Sequence, residues 1–202
     1  MPPKRTKPAR RRAKQQRARA TVDVIREAAA HVLLREGYAR ATTNRIAEVA
    51  GVSVGTIYQY FNNKDAIFDA LIRREVDGLK QLLVEASPDP AVPLADALGI
   101  LLSSIIRARP EAPTLYRALE QVPNGLFRRR VSEARANVIE WIRDFLSTHR
   151  RELRVRDLEA AAFVIVAASE GIAMNASPEF YRGRGAEEVA TLFTRYLTTG
   201  SA

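Results

Sequence analysis

The chain has no cysteine and only two histidines, His31 and His149, far apart in the sequence. The first absence excludes disulfides, thiolate nucleophiles and cysteine-based metal sites. The second leaves a zinc centre or a histidine-based catalytic site with almost nothing to work with. There is no nucleophile–base pair, metal-ligand cluster or phosphate-binding glycine loop, so neither an enzyme nor a cofactor or metal is expected. The longest apolar run is nine residues, 160–168, against the ~20 that a spanning helix needs, so no membrane partner is expected. The basic N-terminus lacks the apolar stretch of a secretory signal, and the expected location is cytoplasmic.

What is present is positive charge, and it is concentrated. Residues 1–60 hold 13 Lys and Arg against 4 Asp and Glu, which is the whole formal charge of +9. The remaining residues balance. Such asymmetry suits a polyanion, because each cation placed on a phosphate releases condensed counterions. Residues 1–17 are rich in Pro, Lys and Arg and read as a disordered basic arm. The alternative there is a solubilising tail.

From about residue 18 the apolar residues recur at helical spacing. Ile25, Ala28, Ala29, Val32 and Leu33 share a face, and Gly37 ends that helix. Further helical patterns follow from about Lys64, from Leu94, around Leu115 and Leu119, from Val131 to about His149, and near 157–175 and 186–198. Pro88, Pro90, Pro110, Pro123 and Pro178 punctuate them. No stretch alternates long enough for a strand. The expected fold is all-α with about nine helices: the arm at 1–17, a helix-turn-helix domain at 18–63, and a further helical domain at 64–202, to which the resemblance given below assigns ligand binding and dimerisation.

Residues 43–61, TNRIAEVAGVSVGTIYQYF, carry the functional signal. Thr43 can cap a helix with Ile46, Val49 and Ala50 on its inner face. Ala47 sits where two helices approach closely. Gly51 supplies the positive φ of a tight turn. Val52 fills the space between the helices, Ser53 can cap the second helix, and Ile57 anchors it. The outer face then offers Val54, Gly55, Thr56, Tyr58, Gln59 and Tyr60, nearly uncharged. Hydroxyls there suit phosphates and an amide suits a base edge. An ordinary helical hairpin with Gly at its corner would leave that aromatic, hydroxyl-rich face unexplained.

The run Gly37-Tyr38, Thr42-Thr43, Ile46-Ala47, Ala50-Gly51-Val52-Ser53, Gly55-Thr56-Ile57-Tyr58, Tyr60-Phe61 and Lys64 resembles the N-terminal signature of the TetR family of bacterial transcriptional regulators, over roughly residues 20–70. The resemblance implies phosphate contacts from Thr43, Thr56, Tyr58 and Lys64. It implies close backbone approach at Gly55, and base reading by Asn44, Gln59 and Tyr60. Arg10, Arg11 and Arg12 are expected to follow the DNA backbone or enter a minor groove, or to act as a tether without fixed geometry.

The helix at 157–175 is apolar on every side and needs a partner surface. The resemblance implies a two-fold interface of the last two long helices through Phe163, Val166, Ala167, Val189, Leu192, Phe193 and Tyr196. Two recognition helices one DNA turn apart then suit a palindromic operator. The resemblance also implies a small-molecule effector pocket, with Leu102, Tyr116, Phe127, Trp141, Phe163 and Glu170 as candidate lining. The expected function is a homodimeric, sequence-specific regulator of double-stranded DNA, a repressor released by its effector. The competing reading is a nonspecific, chromosome-associated basic protein, which leaves the neutral remainder of the chain without a role.

Overall fold

The computed structural model describes residues 7–199, and among these there is no strand. The elements are α1 (Lys7–Arg40), α2 (Thr43–Ala50), α3 (Val54–Tyr60), α4 (Lys64–Glu85), α5 (Leu94–Ala108), α6 (Ala112–Leu119), a 3-10 turn (Pro123–Gly125), α7 (Leu126–Thr148), α8 (Leu158–Asn175), α9 (Pro178–Arg182) and α10 (Gly185–Thr198). The all-α expectation holds. The five-residue α9 is an addition to it, capped by the Ser177 hydroxyl, which accepts from the Phe180 N–H.

The chain forms two compact units that divide after Ile72. The expected boundary at 63/64 lies inside the first of these units. The reason is apolar: Ile67, Phe68, Leu71 and Ile72, all in the first half of α4, are fully buried. The Phe68 ring also lies 5.2 Å from that of Tyr38. Helix α4 continues without a break past the division.

In the first unit, α1 buries Ile25, Ala28, Ala29, Val32 and Leu33, and α2 packs on it through Ile46 and Ala47. Each large aliphatic so buried contributes roughly 1.5–3 kcal/mol of transfer free energy. The helical path of α1 breaks at Gly37, which has φ 77° and ψ 166°. A side chain disfavours that conformation strongly, which is why glycine stands there.

Residues 7–17, expected as a disordered arm, are the first turns of α1. No glycine interrupts them, and Ala, Gln, Lys and Arg are all strong helix formers, so an exposed stretch continues the helix. The first six residues of the expected arm lie outside the described residues.

The second unit has its core among Leu94, Leu98, Ile142, Phe145, Leu146, Ile165, Phe193 and their neighbours. Helix α5 packs on α10, and α7 on α8. Pro93 gives α5 no capping side chain. Glu152 takes that role from a distance, its carboxylate accepting from the Leu94 N–H at 3.0 and 3.1 Å. Nearby, buried His149 bonds through Nε2 to the Val92 carbonyl at 3.1 Å. These contacts fasten the end of α7 to the start of α5. By length and composition alone α8 could cross a membrane. It packs instead on α7 and α6 as one helix of the bundle.

Candidate nucleic-acid interface and effector cavity

The first unit builds a helix-turn-helix from short-range rules. Thr42, not Thr43, caps α2: its hydroxyl accepts from the Arg45 N–H at 3.1 Å. Thr43 is the first helical residue, so its side chain is released from capping. The turn depends on Gly51, whose φ of 65° and ψ of 30° are left-handed. Its N–H donates to the Glu48 carbonyl at 3.2 Å, and the Val52 N–H to that of Ala47 at 3.0 Å. Both close the free end of α2. Ser53 then caps α3, accepting from the Thr56 N–H at 3.0 Å, with the two hydroxyls 2.8 Å apart.

Ile57 is fully buried and fixes the roll of α3. Gly55, Tyr58, Gln59 and Tyr60 consequently point outward, Tyr58 with 54% of its surface exposed. Asn44 and Ser53 are exposed as well, while Thr43, Val54, Thr56 and Lys64 are half-buried. The expectation for Val49 is corrected: it is 37% exposed, off the inner face. An added Cβ at Gly55 would meet only the Ser53 hydroxyl, at 3.7 Å. Glycine is thus not needed there for local fit, and what it provides is bare backbone on the outer surface.

Charge at this surface is arranged in a way the sequence did not reveal. Arg45 is the single cation of α2, and it is occupied. Its guanidinium pairs at 2.8 Å with Glu36 and at 2.8 Å with Glu48. The hydrogen bonds raise the Arg45 pKa and hold the Glu36 carboxyl below its usual range. Lys64 donates to the Tyr38 carbonyl at 3.2 Å and lies 4.0 Å from the centre of the Tyr38 ring. Tyr38 donates in turn to Asp65, and burial followed by that carboxylate raises its pKa. Lys64 is therefore held in place at the start of α4. Exposed Arg11, Arg12, Lys14, Arg17 and Arg19 have no ion pair among the described residues. The side chain of Arg10 is outside the description, but its place on α1 is within it.

The second unit encloses a cavity of about 260 Å³. Four of the six expected lining residues reach it: Leu102, Tyr116, Phe127 and Glu170. Two do not. Trp141 stacks on Phe145 with ring centres 5.7 Å apart, and Phe163 is 51% exposed on the outside of α8. Helical spacing marks such residues as apolar-facing without saying which apolar surface they face. Arg109 and Arg135 also line the cavity and were not foreseen. Arg135 on α7 forks onto Glu170 of α8, and Arg109 pairs with buried Glu75. Their partners lie 35 and 34 residues away, beyond the reach of a motif.

The expected dimer surface divides in two. Phe163, Leu192 and Tyr196 are exposed, with Val164 beside them, and Ala167 is half-buried. Val166, Val189 and Phe193 are instead buried in the core of their own unit, where they also line its cavity.

Residues 25–71 match the family model described as bacterial regulatory proteins, tetR family, and residues 93–197 match a tetracyclin repressor-like C-terminal domain. Among curated proteins, the chain is 33% identical over 86 residues to an uncharacterized HTH-type transcriptional regulator, YhgD, of Bacillus subtilis. It is 33% identical over 84 residues to the nucleoid occlusion factor SlmA of Haemophilus ducreyi. These matches cover 43% and 42% of the chain and span 44% and 41% of the relatives. Among solved structures, the fatty acid degradation regulator FadR of Bacillus halodurans aligns with a TM-score of 0.69 at 21% identity, covering 86% of this chain and 94% of that one. That likeness establishes the fold.

Proposed function

The chain belongs to the tetR family of bacterial regulatory proteins, and from that premise we propose that it is a dimeric, DNA-binding transcriptional regulator whose α3 enters the major groove of an operator. The observation that carries the reading is the roll of α3. Ile57 is buried while Tyr58, Gln59 and Tyr60 are presented outward. A seven-residue helix without a charged residue, supported on a packed domain, is suited to reading base edges.

In this reading Thr43, Thr56 and Tyr58 donate to phosphates, and Lys64 supplies a fixed cation. Asn44, Gln59 and Tyr60 face bases, and Gly55 lets the backbone come close. Ser53 positions Thr56, and Val54 lines the groove-facing end of α3. The basic arm acts as a helix. Arg10, Lys14 and Arg17 continue on α1 the same stripe as Ile25, Ala28 and Val32, by the spacing of three and four residues. Those three cations therefore lie on the side of α1 that buries Ile25, Ala28 and Val32, with Arg11 on the flank and Arg12 on the opposite face.

Dimerisation is assigned to the exposed residues of α8 and α10, namely Phe163, Val164, Leu192 and Tyr196, with small residues at Ala160, Ala167 and Gly171 permitting close approach. The cavity is assigned to an effector that changes DNA affinity, with repression relieved on binding. A coupling of about 1–3 kcal/mol is typical of such linkage. The working place of the protein is the cytoplasm, where its DNA is.

Selection of bound fragments from a random DNA pool tests the proposal. An inverted repeat with half-sites about one helical turn apart is the expected product. Enrichment without a consensus would reject the operator reading and favour a nonspecific chromosome binder.

A further inference from the structure

The chemical class of the effector can be read from the cavity wall; this inference rests on the effector reading above. The wall is almost wholly apolar, and three charged side chains reach it: Arg109, Arg135 and Glu170. Glu75 pairs with both Arg109 and Arg74. Each of the two arginines that line the cavity is thus paired with one carboxylate, Arg109 with Glu75 and Arg135 with Glu170. An asymmetry lies in the Arg135–Glu170 pair. Both carboxylate oxygens of Glu170 accept from Arg135, Oε1 from Nε at 3.1 Å and Oε2 from Nη2. The guanidinium, with five N–H donors, is not used up by this. Among the described residues its Nη1 has no partner.

The consequences differ by ligand charge. A cation would have to share Glu170 with a fixed guanidinium of its own sign. A neutral apolar molecule gains the apolar wall only. An anion gains the wall and the unused donors, without breaking the existing pair. Arg135 retains 39% of its side-chain exposure, so a head group bound there keeps part of its hydration. Charge-assisted, forked bonds to carboxylates are what a guanidinium favours.

We propose that the cavity takes an apolar molecule with a single carboxylate head, the head on the open edge of Arg135 and the tail among Leu102, Ile105, Phe127 and Ile142. The test is calorimetric titration of the full chain with three probes of equal length, decanoate, decanol and decylamine, each kept monomeric. Decanoate is expected to bind roughly tenfold or more tightly than decanol. Arg135→Met should remove that advantage and, by leaving Glu170 unpaired, make decylamine the tightest of the three. The double variant Arg135→Met with Glu170→Gln should favour decanol. Arg135→Lys, which keeps the charge and loses the fork, should weaken decanoate alone, and circular dichroism checks that each variant is folded. The inference is overturned if decanol or decylamine binds the native chain best, if no probe binds, or if decanoate keeps its advantage in folded Arg135→Met. Operator binding is measured separately. Decanoate that binds through Arg135 without altering DNA affinity supports this inference and removes the release mechanism instead.

Discussion

The Thr43 hydroxyl lies 3.4 Å from the Tyr58 hydroxyl, linking the first turn of α2 to the middle of α3. Both groups sit at the outer surface, and each retains capacity for a phosphate oxygen. Tyr58→Phe and Thr43→Val should each weaken operator binding about 3–10-fold, from the loss of one hydrogen bond of roughly 1 kcal/mol. The losses should be less than additive when combined, because the two hydroxyls share a neighbourhood. Fluorescence anisotropy on operator and scrambled duplexes checks this: both duplexes should weaken alike.

Discrimination and charge neutralisation should separate experimentally. Gln59→Ala should change the preferred base at one operator position, at about 1–3 kcal/mol, with the salt slope intact. Removing residues 1–17 should do the reverse. The slope of log K against log salt should flatten by about 0.9 for each phosphate that the arm no longer neutralises, with base preference retained. An unchanged base preference in Gln59→Ala would exclude Gln59 from reading.

Gly51 meets nothing within 4 Å at the position of a missing Cβ, so its constraint is purely one of backbone conformation. Gly51→Ala should therefore destabilise the first unit by about 1–2 kcal/mol. Thermal denaturation monitored by circular dichroism gives the value. A neutral result would show that the turn adopts another geometry in solution.

The exposed and buried halves of the expected interface should respond differently to charge. Leu192→Glu and Phe163→Glu should convert dimer to monomer in sedimentation experiments, with helicity preserved. Val166→Glu places an uncompensated carboxylate in the core and should cost about 3–5 kcal/mol, lowering the melting temperature. A folded Leu192→Glu dimer would move the interface elsewhere.

How far the sequence reached depends on the range of the cause. Gly51, Ser53 and Ile57 were legible because each answers to its immediate neighbours: a left-handed turn, a cap, a buried anchor. The cap of α2 shifted by one residue because Thr42 and Thr43 are equally able to accept the bond. The helical arm was missed because exposed Ala, Gln and Arg suit a helix and a solvated coil alike. In the second unit, periodicity identified Phe163 and Trp141 as apolar-facing, but a cavity, a core and an outer surface all select such residues. Arg135 and Glu170 became a pair only when α7 and α8 were laid together.

Arg45, held between Glu36 and Glu48, leaves the reading head electrically quiet. In the proposed reading, attraction to DNA then resides in the arm and in Lys64, while choice of sequence resides in α3. Ionic strength would set how long the protein stays on any stretch of duplex without changing which stretch it prefers. On that reading the molecule would slide on its arm and stop on its amides and hydroxyls.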